Sequence, residues 1–326
     1  MWKATGSYSQ GSGHKVNNTP CQDRVFFLSE SDCQTAALAD GAGSARYSHF
    51  GAEGVVKHIC KYICDHFDEL YANENAAEVR HILINTVLSC IGAISKDMNC
   101  EPKDLASTLL ATGVKDNRFI LIHLGDGAIG YIKNNELKVA THPVNGEFSN
   151  ETYFTTSKNA EIVMQLAKGS TSEIQAFILM SDGTGNSLYS KRNKTLAPVI
   201  SRIVLCCAHS TEEASQKVLD EIVNDFFVRK TTDDCSLMIM VDAEKYHGTA
   251  IEMADLIRLV GLKPGKNIEK QAARYNSLLA FMETPKNICQ IQKFLHIKKK
   301  YVKKYTDRLM QKGLITFDEG LYCRSK

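Results

Sequence analysis

The chain has 326 residues, 44% hydrophobic and 23% charged, a balance that supports a large core and excludes a chain disordered in bulk. Its net charge of +2 conceals an uneven spread. Residues 1–250 carry 23 Lys/Arg against 30 Asp/Glu, and residues 251–326 carry 16 against 7, so an acidic body joins a basic tail across a boundary near 245–285.

The N-terminus, Met1–Trp2–Lys3–Ala4, has no apolar core of a signal peptide, and no stretch approaches the ~20 consecutive apolar residues of a membrane span. Residues 1–20 are rich in Gly, Ser, Asn and Thr, and Gly11–Ser12–Gly13–His14 reads as a flexible turn. Strands are expected at Val25–Leu28 and at 35–39. Apolar residues at helical spacing predict one helix over about 50–70, through Val55, Ile59, Ile63 and Phe67. A second runs over about 76–95, through Val79, Leu83, Val87 and Ile91. Residues 109–114 and 119–124 form a natural strand pair, and 129–132 with 137–139 read as a hairpin across Asn134–Asn135. Residues 142–158 read as polar loop with a short strand, and Glu161–Lys168 as a short helix. Leu196–Ile203 carries no decisive pattern. Thr211 begins an amphipathic helix to Val228, and a last strand covers 236–241. The eleven cysteines show no zinc-ribbon spacing and read as reduced thiols of a soluble cytoplasmic protein with no membrane association.

Four apolar runs carry an acid at one end. They are Ala36–Ala39 before Asp40–Gly41, Phe119–Leu124 before Gly125–Asp126–Gly127, Phe177–Met180 before Ser181–Asp182–Gly183, and Ser236–Val241 after Asp233–Asp234. One Asp-Gly after a strand is usually a turn. Four in order suggest a convergent carboxylate site, and unpaired carboxylates brought together repel unless a cation joins them. All-oxygen donors suit a hard divalent cation.

The ordered segments Cys21–Gln22–Asp23, Ala39–Asp40–Gly41–Ala42–Gly43, Ala106–Ser107–Thr108, Leu124–Gly125–Asp126–Gly127, Met180–Ser181–Asp182–Gly183 and Asp233–Asp234–Cys235–Ser236 resemble the motif series of the metal-dependent serine/threonine phosphatases, the PP2C-like or PPM family. The resemblance covers about residues 5–242. It is nearest to the divergent bacterial branch, whose first motif reads Pro-Cys-Gln-Asp. It implies an α+β fold, a four-layer α-β-β-α sandwich of two antiparallel sheets flanked by helices, with metals in a cleft at one edge. Carried over by position, Asp40 would bridge two Mn²⁺ or Mg²⁺ ions, the Gly41 carbonyl would bind the second, and Asp182 and Asp233 would hold the first. Asp23 would order water at the metals, and Asp126 would serve a weaker third site. The implied reaction is hydrolysis of phosphoserine and phosphothreonine monoesters in proteins by a two-metal-activated water. A phosphorylated protein would be the substrate, and a serine/threonine kinase the matching partner.

Three departures stand out. Asn18 occupies the place of the Arg that clamps phosphate in many members, leaving His14 and Lys15 as phosphate-binding candidates, and Lys lacks the planar fork of Arg. Ala42 stands where many eukaryotic members have a His, so His49 or a water is left to protonate the leaving group. Asp234 stands where Asn is common. Arg24, next to Asp23 on a strand, points away from the site. His49, His58, His66, His81 and His123 otherwise read as structural, and Ser107–Thr108 as hydroxyls tying loop to backbone.

The expected domains are a phosphatase domain over 1–245, a helical linker or extension over 246–285, and a winged-helix-like basic domain over 286–326. Ile288, Ile291, Leu295, Val302, Tyr305, Leu309, Leu314 and Ile315 would share its small core. The run Lys298–Lys299–Lys300, Lys303–Lys304 and Arg308, with Tyr301 and Tyr305, could neutralise nucleic-acid phosphates. It could equally dock a partner protein or the acidic body, or recruit acidic phosphorylated substrates. A weakly active or inactive phosphatase-like regulator that binds phosphoprotein or nucleic acid is the alternative function.

Overall fold

Short apolar runs bounded by Gly, Asn and Asp form the strands, and longer runs at helical spacing form the helices. The computed structural model describes residues 2–30, 32–144, 152–246, 251, 253–265 and 267–325. Part of the polar loop expected over 142–158 therefore lies outside the described residues. The chain divides into two compact units, Trp2–Ser201 with Val218–Val241, and Arg202–Lys217 with Asp242–Lys326.

Strand β1 (Trp2–Ser9) and a single helical turn α1 (Ser12–Val16) lead to β2 (Arg24–Glu30) and β3 (Cys33–Ala39). Two long helices follow, α2 (Ser48–Ala72) and α3 (Ala76–Met98). Next come β4 (Leu109–Lys115), β5 (Arg118–Leu124), β6 (Ala128–Lys133) and β7 (Glu136–Thr141). A short turn α4 (Ala160–Val163) precedes β8 (Gln165–Ser170), β9 (Ile174–Met180) and α5 (Asp182–Leu188). The small pair β10 (Tyr189–Ser190) and β11 (Thr195–Leu196), then α6 (Val199–His209) and α7 (Glu212–Ile222), lead to β12 (Cys235–Asp242).

Two five-stranded sheets result, in the orders β2-β3-β4-β5-β8 and β1-β12-β9-β6-β7. Alternate residues of the first sheet serve two cores. Ala36, Leu38, Leu110 and Leu121 meet Leu179, Met238 and Met240 of the second sheet, and Trp2 stacks on Phe177 with ring centroids 5.7 Å apart. On the opposite face Ala37, Ala39, Ala111 and Ile122 pack on Val55, Ile59, Ile63, Val79 and Leu83 of α2 and α3. Burial on both faces explains why these strands read as unbroken apolar runs.

Both long helices form where their periodicity places them. Asn75 caps α3 by accepting from Ala77 N and Glu78 N, and left-handed Asn99 ends it. Helix α3 is long and apolar enough, by length and composition, to cross a membrane, which amends the expectation that no stretch approaches that limit. Its apolar stripe, Val79, Leu83, Val87 and Ile91, is buried in the core shared with α2.

Three local expectations are corrected. Residues 2–9 are a strand that buries polar Thr5 and Ser7 and meets the inter-sheet core through Trp2 and Ala4, so no apolar alternation marks it. In place of the helix expected over Glu161–Lys168 there is only the short turn Ala160–Val163, and Gln165–Ser170 is a half-exposed edge strand on β5. The helix from Thr211 keeps regular geometry only to Ile222 and then loosens into a π-helical turn, Val223–Phe227. The expected hairpin is β6–β7, and it belongs to the second sheet. The chain therefore changes sheets at Gly125–Asp126.

In the other unit, α8 (Met253–Leu259), α9 (Ile268–Phe281), β13 (Lys286–Asn287), α10 (Ile288–Leu295), α11 (Lys299–Gln311), β14 (Ile315–Asp318) and β15 (Leu321–Arg324) follow in order. Asn287 and Gln290 form a reciprocal capping box at the start of α10. Glu319 and Gly320, both at positive φ, close the β14–β15 hairpin. Leu256, Tyr275, Leu278, Ile291, Val302, Leu309, Leu314 and Ile315 make one core. The segment 202–217 joins this unit through Thr211 N donating to Gly313 O and through buried Arg324, which bonds His209 and Glu283.

Candidate active site

The register of the strands brings the acids to one end of the sandwich. Arg24, after Asp23, pairs with Ala39, before Asp40. Leu237 and Ala128 both pair with Met180, which gathers Asp233, Asp126 and Asp182 at adjacent strand ends. The change of sheet after β5 aims Asp126 at the same edge as Asp40.

The electrostatics record the convergence. Burial, then the charges of Asp23, Asp182, Asp126 and Asp233, hold the Asp40 carboxyl well above the usual carboxylate range. Burial, then Asp126 and Asp233, push Asp182 up to about 6, against the easing effect of a hydrogen bond with Asp40 and the Gly183 N–H. Burial also pushes Asp23 up to about 7. The Ser236 and Ser181 hydroxyls oppose this, and Asp234 and Asp182 add to it. Asp40 thus feels each of the other four predicted acids. Both carboxylate oxygens of Asp23 and Oδ1 of Asp182 are buried without a well-formed hydrogen bond among the described residues. Asp126 Oδ2 accepts from the Thr152 hydroxyl at 2.5 Å.

As placed, no three His, Cys, Asp or Glu side chains among the described residues form a ready cage for an ion. The donor set nevertheless fits a hard cation. It is all oxygen, its buried oxygens are orphaned, and the charges raising Asp40 are other carboxylates.

The backbone around the acids is tightly built. Asp40 N donates to Thr108 Oγ1 at 2.9 Å and Thr108 N returns a bond to Asp40 O at 2.8 Å, while Gly41 bridges to Ser107. The Thr108 hydroxyl therefore fixes the Asp40–Gly41 corner as expected, whereas Ser107 does so through its backbone, its buried hydroxyl making no hydrogen bond among the described residues. Gly125, at φ +121°, lies where any side chain would strike Thr108. A Cβ on Gly183 would stand 2.0 Å from the Asp234 carbonyl oxygen. Gly is required at both places.

A second constellation was not visible in the sequence. Asp234 Oδ1 accepts Gly11 N at 2.7 Å and Oδ2 accepts Gln22 N at 2.6 Å. His14 Nδ1 lies 2.9 Å from Oδ2, off the line of a good hydrogen bond. Gln22 Nε2 also donates to Ser48 Oγ at 2.6 Å. Gly11 reads as a flexible turn in sequence, yet a Cβ there would lie 2.3 Å from the Asp233 carbonyl. Small residues before the first acid were the signal, and they mark close packing of backbone on backbone.

Of the phosphate-binding candidates, His14 is turned to Asp234, whereas Lys15 and Asn18 are exposed. Arg24 is occupied elsewhere, donating to the Cys21 and Asp23 carbonyls and lying over the Tyr8 ring. His49 packs on Phe50. Buried His123 donates from Nε2 to Gly125 O at 3.0 Å and accepts the Thr141 hydroxyl at Nδ1. Burial lowers its pKa to about 4, so it is a neutral support for the Asp126 turn.

Residues 10–224 match the family model described as Protein phosphatase 2C. The chain is 23% identical over 258 residues to Serine/threonine-protein phosphatase 3 of Escherichia coli K12, covering 74% of this chain and 99% of that one. Its fold resembles the serine/threonine phosphatase Stp1 of Staphylococcus aureus, with a TM-score of 0.51 at 15% identity over 74% of this chain and 95% of the other. A crystal structure of a bacterial serine phosphatase superposes with the same TM-score at 13% identity, over 74% and 98%. The family model spans more than half of the chain and takes in Asp23, Asp40, Asp126 and Asp182, with Asp233 just past its end, and the chain belongs to the protein phosphatase 2C family.

Proposed function

We propose that this member of a phosphatase family hydrolyses phosphoserine and phosphothreonine monoesters in proteins, with two Mn²⁺ or Mg²⁺ ions and a third, weaker one. The observation that supports it is the meeting of five carboxylates at one end of the sandwich, each charge acting on Asp40 being another acid. Asp40 would hold both ions, the Gly41 carbonyl the second, Asp182 and Asp233 the first, and Asp126 would serve the third. When bound, the ions supply Lewis acidity and a water acidified toward neutral pH. Asp23, buried with both oxygens unpaired and its pKa pushed up to about 7, is suited to accept a hydrogen bond from the attacking water and to hold its proton. Exposed Lys15 would supply positive charge to the phosphate, and His14 braces Asp234.

The eleven thiols are all free, which fits a reducing cytoplasm, and a serine/threonine kinase is the class of enzyme that would make the substrate. A winged-helix reading of the C-terminal unit, with α11 in the recognition position, is supported by the succession α9, α10, α11 and the β14–β15 hairpin. The test is hydrolysis of an aryl phosphate with Mn²⁺, with Mg²⁺ and with chelator, beside Asp182→Asn. Metal-dependent turnover lost in the variant is expected. Turnover absent in the wild type with either ion would leave a phosphatase-like regulator as the better reading.

A further inference from the structure

The C-terminal unit carries a cleft of about 470 Å³ between α9 and α11. Lys270 and Arg274 line it from one helix and Tyr301, Lys304, Tyr305 and Arg308 from the other, and none of its described lining residues is acidic. Several exposed cations elsewhere are answered by carboxylates, as Lys61 is by Glu30 and Asp65, and Arg118 by Asp68 and Asp116. The four cations of the cleft have no carboxylate partner among the described residues. Like charges facing one cavity repel, and an anion is what relieves them.

The cleft is also preorganised. Tyr275 and Tyr305 rings lie 4.8 Å apart. Arg274 donates to the Tyr305 hydroxyl at 3.2 Å with its guanidinium 5.9 Å from that ring. An Arg fork held against an aromatic ring suits the paired oxygens of a phosphate dianion. On the other flank of α11, Lys300 and Lys303 continue the positive surface, but Asp307 stands among them. That carboxylate interrupts a cationic track of the kind a nucleic-acid backbone follows. The bounded cleft suits a single compact phosphate.

We propose that this cleft binds a phosphorylated serine or threonine of a protein segment, as a phosphopeptide-docking site separate from the carboxylate cluster. The choice of a protein as the bearer of the phosphate rests on the phosphatase reading above; the cleft itself does not. Docking one phosphorylated residue of a multiply phosphorylated protein would raise the local concentration of the others at the chain that hydrolyses them.

The test measures binding of a fluorescent peptide with one phosphoserine to the full chain in chelator, so that affinity is read without metal-dependent turnover. The unphosphorylated twin, inorganic phosphate and duplex DNA serve as competitors. The phosphopeptide should bind at least about tenfold tighter than its twin, as loss of a charge-assisted bidentate contact implies. Lys270→Ala with Lys304→Ala, both exposed positions, should remove that advantage, Arg274→Lys should reduce it, and Asp182→Asn should leave it. The proposal fails if the twin binds equally well, or if the paired lysine variant binds as the wild type does. Inorganic phosphate matching the phosphopeptide would make this a site for the free ion, and DNA displacing the peptide at lower concentration would make it a nucleic-acid site. Either result overturns it. A chain without phosphatase turnover that still binds the phosphopeptide would overturn the catalytic reading alone.

Discussion

Asp182 and Asp234 stand at neighbouring strand ends of one sheet, and their surroundings are opposite. Asp234 is buried with each oxygen accepting a backbone N–H, from Gly11 and from Gln22, and with His14 beside it. Asp182 has an orphaned buried oxygen and three other carboxylates acting on it. The difference separates two uses of one residue type. An acid whose oxygens are answered by donors holds the chain together, whereas acids whose oxygens face one another hold a place for something else.

Exchange of the two roles is the sharpest way to break that comparison. Asp40→Asn or Asp182→Asn should cost metal-dependent turnover about a thousandfold or more, the rate equivalent of several kcal/mol of Lewis-acid stabilisation. The same substitutions should leave the metal-free chain as stable as before or more so, because they remove repulsion. Thermal melts in chelator alongside initial rates give both numbers. Asp234→Ala should do the reverse and destabilise the fold by about 3–5 kcal/mol, since two backbone N–H groups lose a charged acceptor. Asp234→Asn offers one oxygen where two donors need two, and should cost about 2 kcal/mol in a denaturant titration. If Asp182→Asn unfolds the chain and Asp234→Ala does not, the assignment of roles is wrong.

The same contrast has a pH signature. Asp23 and Asp182 have folded pKa values pushed up to about 7 and about 6, above their unfolded values. The metal-free native chain therefore holds protons that the unfolded chain has released, and its stability falls as pH rises through the window from about 4 to about 7, by about 1.4 kcal/mol per pH unit for each proton so held. The melting temperature in chelator should be higher near the bottom of that window than above it, and Asp182→Asn should flatten the slope. Saturating Mn²⁺ should reverse the trend, because the ion needs the ionised carboxylates. A metal-free chain that is most stable above pH 7 would contradict the crowding of these acids.

The functional half of this arrangement was legible in sequence because strands buried on both faces are continuous apolar runs, so the acid that ends each run is conspicuous. Asp40, Asp126 and Asp182 follow such runs and Asp233 precedes one. The structural half was hidden. Strand β1 buries polar Thr5 and Ser7 and so lacks the expected alternation. Gly11 and Gln22 contribute only backbone N–H groups to Asp234, and a backbone donor leaves no mark on residue type. Edge strand β8, Gln165–Ser170, is half exposed and takes its conformation from pairing with β5, a partner some forty residues away that local pattern does not show. Helix α6 was unassigned because Pro198 and the short β11 interrupt the pattern just before it starts.

The smallest expected effect concerns the phosphate. With Asn18 in the place of a clamping Arg and at positive φ, cationic help from α1 falls to His14 or Lys15. The two differ as Asp234 differs from Asp182: His14 is engaged with a carboxylate, and Lys15 is exposed. A compact, exposed ammonium attracts a dianion in the ground state and the transition state alike, so it contributes uniform binding. Lys15→Ala should therefore raise KM by about two- to fivefold, the equivalent of about 0.5–1 kcal/mol for an exposed charge pair, with kcat unchanged. The effect should shrink with added salt, because screening acts on exposed charges. His14→Ala should leave KM nearly unchanged and lower the melting temperature, because its partner is Asp234. A rise in KM on His14→Ala, with Lys15→Ala silent, would move His14 from scaffold to phosphate contact and blur the line between satisfied and unsatisfied acids.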